Sequence, residues 1–190
     1  MSLAAIALLV LGLAVVGWVT ARARAAAFAG PGKPRPHSLP GQHGLYVALW
    51  TAIPALIFVA LWSNISGNLV YGAVMASPEA AALPGFEMQR TAILREAYAL
   101  ASGQTATVFN PQARTIAPVY EAAISRYNWI GLAVALLVAF AGFAWAYSRV
   151  SPNFRARTRV ERTVMGGLLL ASLIAILTTL GIVLSLLFES

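Results

Sequence analysis

Arginine is the side chain with the clearest capacity for chemistry in this sequence, and it is concentrated in two short segments. Residues 21–43 carry four basic side chains and no acid, and residues 148–162 carry five arginines and one acid, Glu161. A guanidinium group binds phosphate or carboxylate through paired hydrogen bonds, and basic loops also attract anionic lipid. The sequence leaves both ligands open. The basic residues of the two loops are Arg22, Arg24, Lys33, Arg35, Arg149, Arg155, Arg157, Arg159 and Arg162.

Other reactive side chains are sparse and poorly spaced. His37 and His43 are six residues apart with no cysteine or aspartate nearby, which makes a poor metal site. We interpret both as residues of the membrane interface, with His43 at the headgroup level beside Tyr46 and Trp50. The sequence has no cysteine, no phosphate-binding glycine loop and no H-E-x-x-H or G-x-S-x-G motif. We therefore expect no catalytic, metal or cofactor site, and a protein that is not an enzyme.

The segments that flank the two basic loops are predicted to be membrane-spanning helices. Hydrophobic residues make up 59% of the chain and charged residues 10%, whereas about a quarter of a soluble domain is charged. A helix needs about 20 mostly apolar residues to cross the hydrocarbon. The prediction is an all-α membrane protein with four transmembrane helices and a partly helical extracytoplasmic segment between the second and third. The predicted spans are Leu3–Val19, Leu45–Trp62, Trp129–Tyr147 and Val164–Phe188, none of which contains Asp, Glu, Lys, Arg or His.

The distribution of charge predicts the orientation, because lysine and arginine in short loops resist translocation. The long segment Ser63–Arg126 balances four arginines with four glutamates and is neutral. One orientation satisfies every loop, with both basic loops on the cytoplasmic side of the membrane and both termini on the outer side. Arginine follows the first span, which favours an uncleaved helix over removal at Ala25–Ala27. The net charge of +7 lies between apolar runs, so we expect membrane lipid and no nucleic acid as a partner.

The chain divides along these lines into three predicted regions. Residues 1–63 hold the first two spans and the first basic loop, residues 64–127 the extracytoplasmic segment, and residues 128–190 the last two spans and the second basic loop. In the middle region the S-P-E sequence at residues 77–79 predicts a helix start. A second helix is expected over Phe86–Ala101. A third begins at Ala113 and continues into the third span, with Pro118 kinking or delaying its start.

Small residues recur every four positions in the third and fourth spans. A stripe of this kind lets two helix backbones approach closely in lipid. The alternative is that alanine is simply abundant here. We predict that the two stripes pack as an antiparallel hairpin. Their residues are Gly131, Ala135 and Ala139 in the third span, and Gly167, Ala171, Ala175 and Thr179 in the fourth.

Two stretches carry a resemblance to a known family. They are HSLPGQHGLYVALW, from His37 to Trp50, and NFRARTRVERTVMGGLLLASLIAILTTLGIVLSLLFES at the C-terminus. The chain resembles the N-terminal region of the PstC-type permease subunit of the bacterial phosphate-specific ABC transporter, and its fourth span resembles the first helix of the permease core. The resemblance implies a non-catalytic membrane-spanning part that supports phosphate import. It also implies a second permease subunit, ATPase subunits and a periplasmic phosphate-binding protein as partners.

The resemblance also implies that a permease core with a cytoplasmic coupling helix belongs after Ser190. A truncated reading frame, a fragment and a small standalone relative are all open interpretations. No phosphate-contacting residue carries over from the family to this sequence. The alternative function is an autonomous membrane interaction or scaffold protein, whose partner the sequence does not identify.

Overall fold

The computed structural model describes residues 3–28 and 38–189, and helices dominate that part of the chain. Four of the helices are long and apolar enough to cross a membrane. This confirms the predicted all-α class with four membrane-spanning helices. The α-helices are α1, Leu3–Ala26; α2, Pro40–Met75; α3, Glu87–Ala101; α4, Pro111–Ser148; and α5, Ala156–Glu189.

The helices that flank the middle segment are longer than their predicted spans. Helix α2 continues past Trp62 to Met75, and α4 begins at Pro111 and runs without a break through Pro118. Pro118 therefore lies inside the helix and does not delay its start. The Asn110 side-chain oxygen accepts a hydrogen bond from the Gln112 amide at 3.0 Å, which satisfies one of the free donors at the helix start.

The connection between α2 and α4 contains one short helix and one longer one. The S-P-E sequence begins a five-residue 3-10 helix, Pro78–Ala82, and the Ser77 hydroxyl makes no capping hydrogen bond. Helix α3 matches the predicted Phe86–Ala101 helix closely, with Phe86 as its N-cap residue. It ends before Gly103, whose φ of +73° is a left-handed conformation that glycine adopts without strain.

The first of two compact units comprises residues 1–13 and 52–141. It has two apolar clusters, one within the predicted spans and one beyond them. In the first, Ile6 and Val10 of α1 meet α2 and α4. In the second, α3 packs Ile93, Leu94 and Ala97 against α2 and α4. The middle segment therefore has a core of its own, which fixes the position of α3.

The second unit comprises residues 14–51 and 142–190. Its core joins Ala21 and Ala25 of α1 to Val47 of α2, Ala146 of α4 and Ala156 at the start of α5. The rest of α5 is different, because every residue from Val164 to Phe188 is exposed. An apolar helix with no buried side chain must be covered by lipid or by other membrane helices.

Candidate functional site

An aromatic cluster, Tyr46, Trp50, Trp145 and Phe154, lies beneath the second basic loop. The Trp50 and Trp145 rings are 4.7 Å apart, and Tyr46 meets the Phe154 ring edge-on at 4.9 Å. Phe154 belongs to the loop itself, so the cluster anchors the segment that leads into α5. Aromatic pairs in these geometries contribute about 0.5–1.5 kcal/mol beyond the area they bury.

Glycines allow the helices around this cluster to approach closely. A Cβ added to Gly142 would overlap the carbonyl oxygen of Trp50, and one added to Gly44 would lie 2.8 Å from the carbonyl oxygen of Trp18. Both obstacles are backbone atoms, which cannot rotate away. Gly142 and Gly44 are therefore required for the close contact of α4 with α2 and of α2 with α1.

Three arginines of the basic loops lie over aromatic rings. The guanidinium of Arg24 is 4.7 Å from the Tyr147 ring, that of Arg149 is 4.9 Å from Trp145, and that of Arg22 is 5.1 Å from Trp18. Each cation–π contact of this kind contributes about 0.5–1 kcal/mol at an exposed site. Arg22 and Arg24 also lie within the last turns of α1 and not in the loop where the sequence placed them.

The other arginines surround a polar hollow at the start of α5. Arg155, Arg159 and Arg162 line a hollow of about 350 Å³ together with Asn153 and Thr158. Among residues 3–28 and 38–189 the only ion pair joins Arg157 to Glu161, so no carboxylate neutralises the three lining arginines. The positive end of the α5 helix dipole adds to their charge. This hollow can attract phosphate groups, whether free or in lipid.

A contact across the basic region ties the start of α2 to α5. The Arg157 amide donates to the Ser38 hydroxyl at 3.4 Å, and Ser38 is buried. Its long distance makes this a weak hydrogen bond. The residues Lys33, Arg35 and His37 of the first basic loop lie outside the described residues.

His43 is buried among the helices. The side chain is fully buried, and neither ring nitrogen has a hydrogen-bond partner. Its position at the headgroup level stays a prediction. Helix α2 begins at Pro40, which places His43 in its first turn, with its ring 6.0 Å from that of Phe154. No group of three or more potential metal ligands occurs in the part of the chain that the structure describes.

The small-residue stripes have different surroundings. Ala135 and Ala139 are buried against α1 and α2, and Gly131 faces the indole of Trp62. The stripe Gly167, Ala171, Ala175 and Thr179 is exposed along its whole length.

A third stripe was missed by the sequence reasoning. Ala14, Gly17, Ala21 and Ala25 of α1 are all buried, and an added Cβ at Gly17 would lie 3.1 Å from the Phe143 ring. Their spacing of three and four residues is the same signal that was recognised in the later spans. It would have predicted that this part of α1 packs closely against its neighbours.

The four long apolar helices and the exposed basic region are typical of a multi-pass membrane protein. One of these helices, α5, is exposed along its apolar part. Residues 6–178 match a family described as phosphate ATP-binding cassette transporter. The chain belongs to this family, and the resemblance recognised in the sequence is confirmed. No curated protein and no solved structure matches the chain.

Proposed function

We propose that this chain is a non-catalytic membrane-spanning part of a phosphate ABC transporter permease and supports phosphate import. Support comes from the family match over residues 6–178 and from α5, which is the single structural observation that carries the proposal. In this proposal the membrane is a bacterial inner membrane, the basic loops are cytoplasmic and the termini are periplasmic. The partners are a second permease subunit, ATPase subunits and a periplasmic phosphate-binding protein.

Helix α5 has the properties of a helix that packs against another permease helix. It is exposed from Val164 to Phe188, yet it carries the small-residue stripe that contains Ala171 and Ala175. In lipid, apolar surface alone gives no net drive for helices to associate, and close packing over small residues is what holds them together. We propose that the stripe on α5 contacts a permease subunit of the same transporter, while the opposite face contacts lipid.

Co-purification tests this assignment. The chain is co-expressed with the second permease subunit and the ATPase of a phosphate ABC transporter, in its original form and as Ala175→Trp. A large ring on the stripe keeps the helix backbones apart, so recovery of the transporter subunits should fall severalfold. Leu177→Trp is the matched control, because two residues turn the side chain by about 200° around the helix.

The outcomes separate the two candidate functions. Loss of the partners with Ala175→Trp, but not with Leu177→Trp, supports the permease assignment. Equal recovery with both variants would refute the role of the stripe. If the original chain recovers no transporter subunit and phosphate uptake does not change on its deletion, the transporter assignment fails and the scaffold alternative replaces it.

A further inference from the structure

The middle segment contains a cavity that the proposed transporter role does not use. It has a volume of about 550 Å³ and lies between α2, α3 and α4 within the first unit. Ligand pockets are commonly of about 300–1,000 Å³, with apolar walls and a few convergent polar groups. The cavity has this composition, because Val70 and Leu94 of the apolar core form its base and polar side chains surround them.

Three tyrosines supply flat walls and hydroxyl groups. Tyr120 is buried at 4% exposure, and its ring meets that of Tyr98 edge-on with 5.8 Å between the centroids. Tyr71 and Tyr98 are each about half exposed and line the opening. Aromatic faces contact flat or apolar ligand groups, and tyrosine hydroxyls donate hydrogen bonds at the ring edge.

One cation, Arg95, lines the same cavity. Its guanidinium has no carboxylate within 4.0 Å, since the single ion pair of residues 3–28 and 38–189 lies elsewhere. The adjacent acid is already engaged, because a Glu96 carboxylate oxygen accepts a hydrogen bond from the Asn110 amide at 3.0 Å. Gln104 adds an amide to the same lining. An unpaired guanidinium with neighbouring donors is suited to a phosphate or carboxylate group.

One side of the cavity is lined by a glycine. Gly67 lines the cavity from α2, and a Cβ added there would meet no atom within 4 Å. Gly67 lies five residues beyond Trp62, which corresponds to about 7.5 Å along the helix. The polar headgroup layer on each side of a bilayer is about 5–8 Å thick. Because the predicted second span ends at Trp62, we expect the cavity to open at the outer limit of the headgroups, where a dissolved molecule has access.

We propose that this cavity binds a small organic anion from the aqueous phase. The phosphate or carboxylate group contacts Arg95, and a ring or other flat apolar part lies among Tyr71, Tyr98 and Tyr120. The anion alone would leave the aromatic walls uncovered, and a neutral ring would leave the guanidinium unpaired. Both parts therefore contribute to binding.

Ligand-observed NMR on the full chain in phosphatidylcholine nanodiscs tests the proposal with three probes. Phenyl phosphate carries both recognition groups, inorganic phosphate only the anion, and phenyl β-glucoside only the ring with a neutral polar group. Phenyl phosphate should bind about tenfold more tightly than either of the others. Absence of phenyl phosphate binding, or equal binding of inorganic phosphate, overturns the proposal.

Two pairs of variants locate the site. Arg95→Gln should weaken phenyl phosphate binding by about tenfold, while Arg114→Gln, an equal charge change at an exposed position of α4 outside the cavity, should not. Gly67→Phe should fill the cavity and abolish binding. Gly72→Phe is its control on the same helix, also with nothing within 4 Å of an added Cβ but outside the cavity lining.

Circular dichroism of each variant establishes that the helices are retained. Equal losses in Arg95→Gln and Arg114→Gln would mean that binding follows net charge and not this cavity, which overturns the proposal. Retained binding in a folded Gly67→Phe variant overturns it as well.

Discussion

Replacing Gly142 with alanine tests whether close backbone contact holds α2 and α4 together. The added Cβ would overlap the carbonyl oxygen of Trp50. No rotation can relieve the overlap, because the obstacle is backbone. The helices must separate locally by roughly 1 Å to restore an ordinary C···O distance of about 3.3 Å.

The size of the effect follows from three contributions. Overpacking a well-packed contact costs about 1–3 kcal/mol. Separation also weakens the Trp50–Trp145 contact, whose rings are 4.7 Å apart, and such a pair contributes about 0.5–1.5 kcal/mol. The higher helix propensity of alanine returns about 0.5–1 kcal/mol. We expect Gly142→Ala to lower the free energy of unfolding by about 2 kcal/mol.

Unfolding with SDS in mixed micelles, followed by tryptophan fluorescence, measures this loss. Gly44→Ala should cost less, because its added Cβ would lie 2.8 Å from the Trp18 carbonyl oxygen and needs a smaller displacement. Gly12→Ala is the control, since nothing lies within 4 Å of its added Cβ. We expect Gly12→Ala to be the most stable of the three variants, Gly44→Ala to be less stable and Gly142→Ala to be the least stable. Equal stability of Gly142→Ala and Gly12→Ala would refute the requirement for glycine.

Three further predictions concern the orientation, the basic loops and the buried histidine. In intact cells, an impermeant thiol reagent should label a single cysteine at Ser102 but not one at Thr158; both positions are exposed, so labelling at Thr158 would contradict the orientation. Arg149→Gln should lower stability by about 0.5–1 kcal/mol through loss of its cation–π contact, while Arg155→Gln, which has no such contact, leaves it unchanged in the same SDS titration. His43→Phe should raise stability by about 1 kcal/mol, because it removes two buried nitrogens that lack partners; a clear loss of stability would show that His43 has a polar role.

The number and type of the membrane helices could be predicted from the sequence because the spans exclude charge. The middle helix was also predictable, since Ile93, Leu94 and Ala97 share a face and Gly103 provides a stop. The ends of α2 and α4 were not. Polar residues such as Ser63 and Asn64 interrupt the apolar sequence, but they do not end a helix that continues to pack against α3.

Contacts between distant segments were the least predictable. His43 and Phe154 are separated by the whole middle of the chain, and nothing in the local pattern indicates that one covers the other. The tyrosine cavity is formed by α2, α3 and α4, each of which contributes one tyrosine. These tyrosines come together only when the three helices pack. For the stripe on α5, the spacing predicts a packing face but carries no information about what packs there.

The exposure of α5 also determines how the isolated chain should respond to denaturation. Between Val164 and Phe188 no side chain is buried, so this part of α5 shares almost no tertiary contact energy with the rest of the protein. When the tertiary contacts of the other helices are lost, this part of α5 should therefore stay helical. Its backbone hydrogen bonds persist wherever a hydrophobic solvent surrounds it. In a detergent titration the helical signal of α5 should remain after the tryptophan signal has completed its transition. The protein in isolation thus behaves as a cooperative bundle joined to an independent helix, and association with a partner would merge the two into one transition.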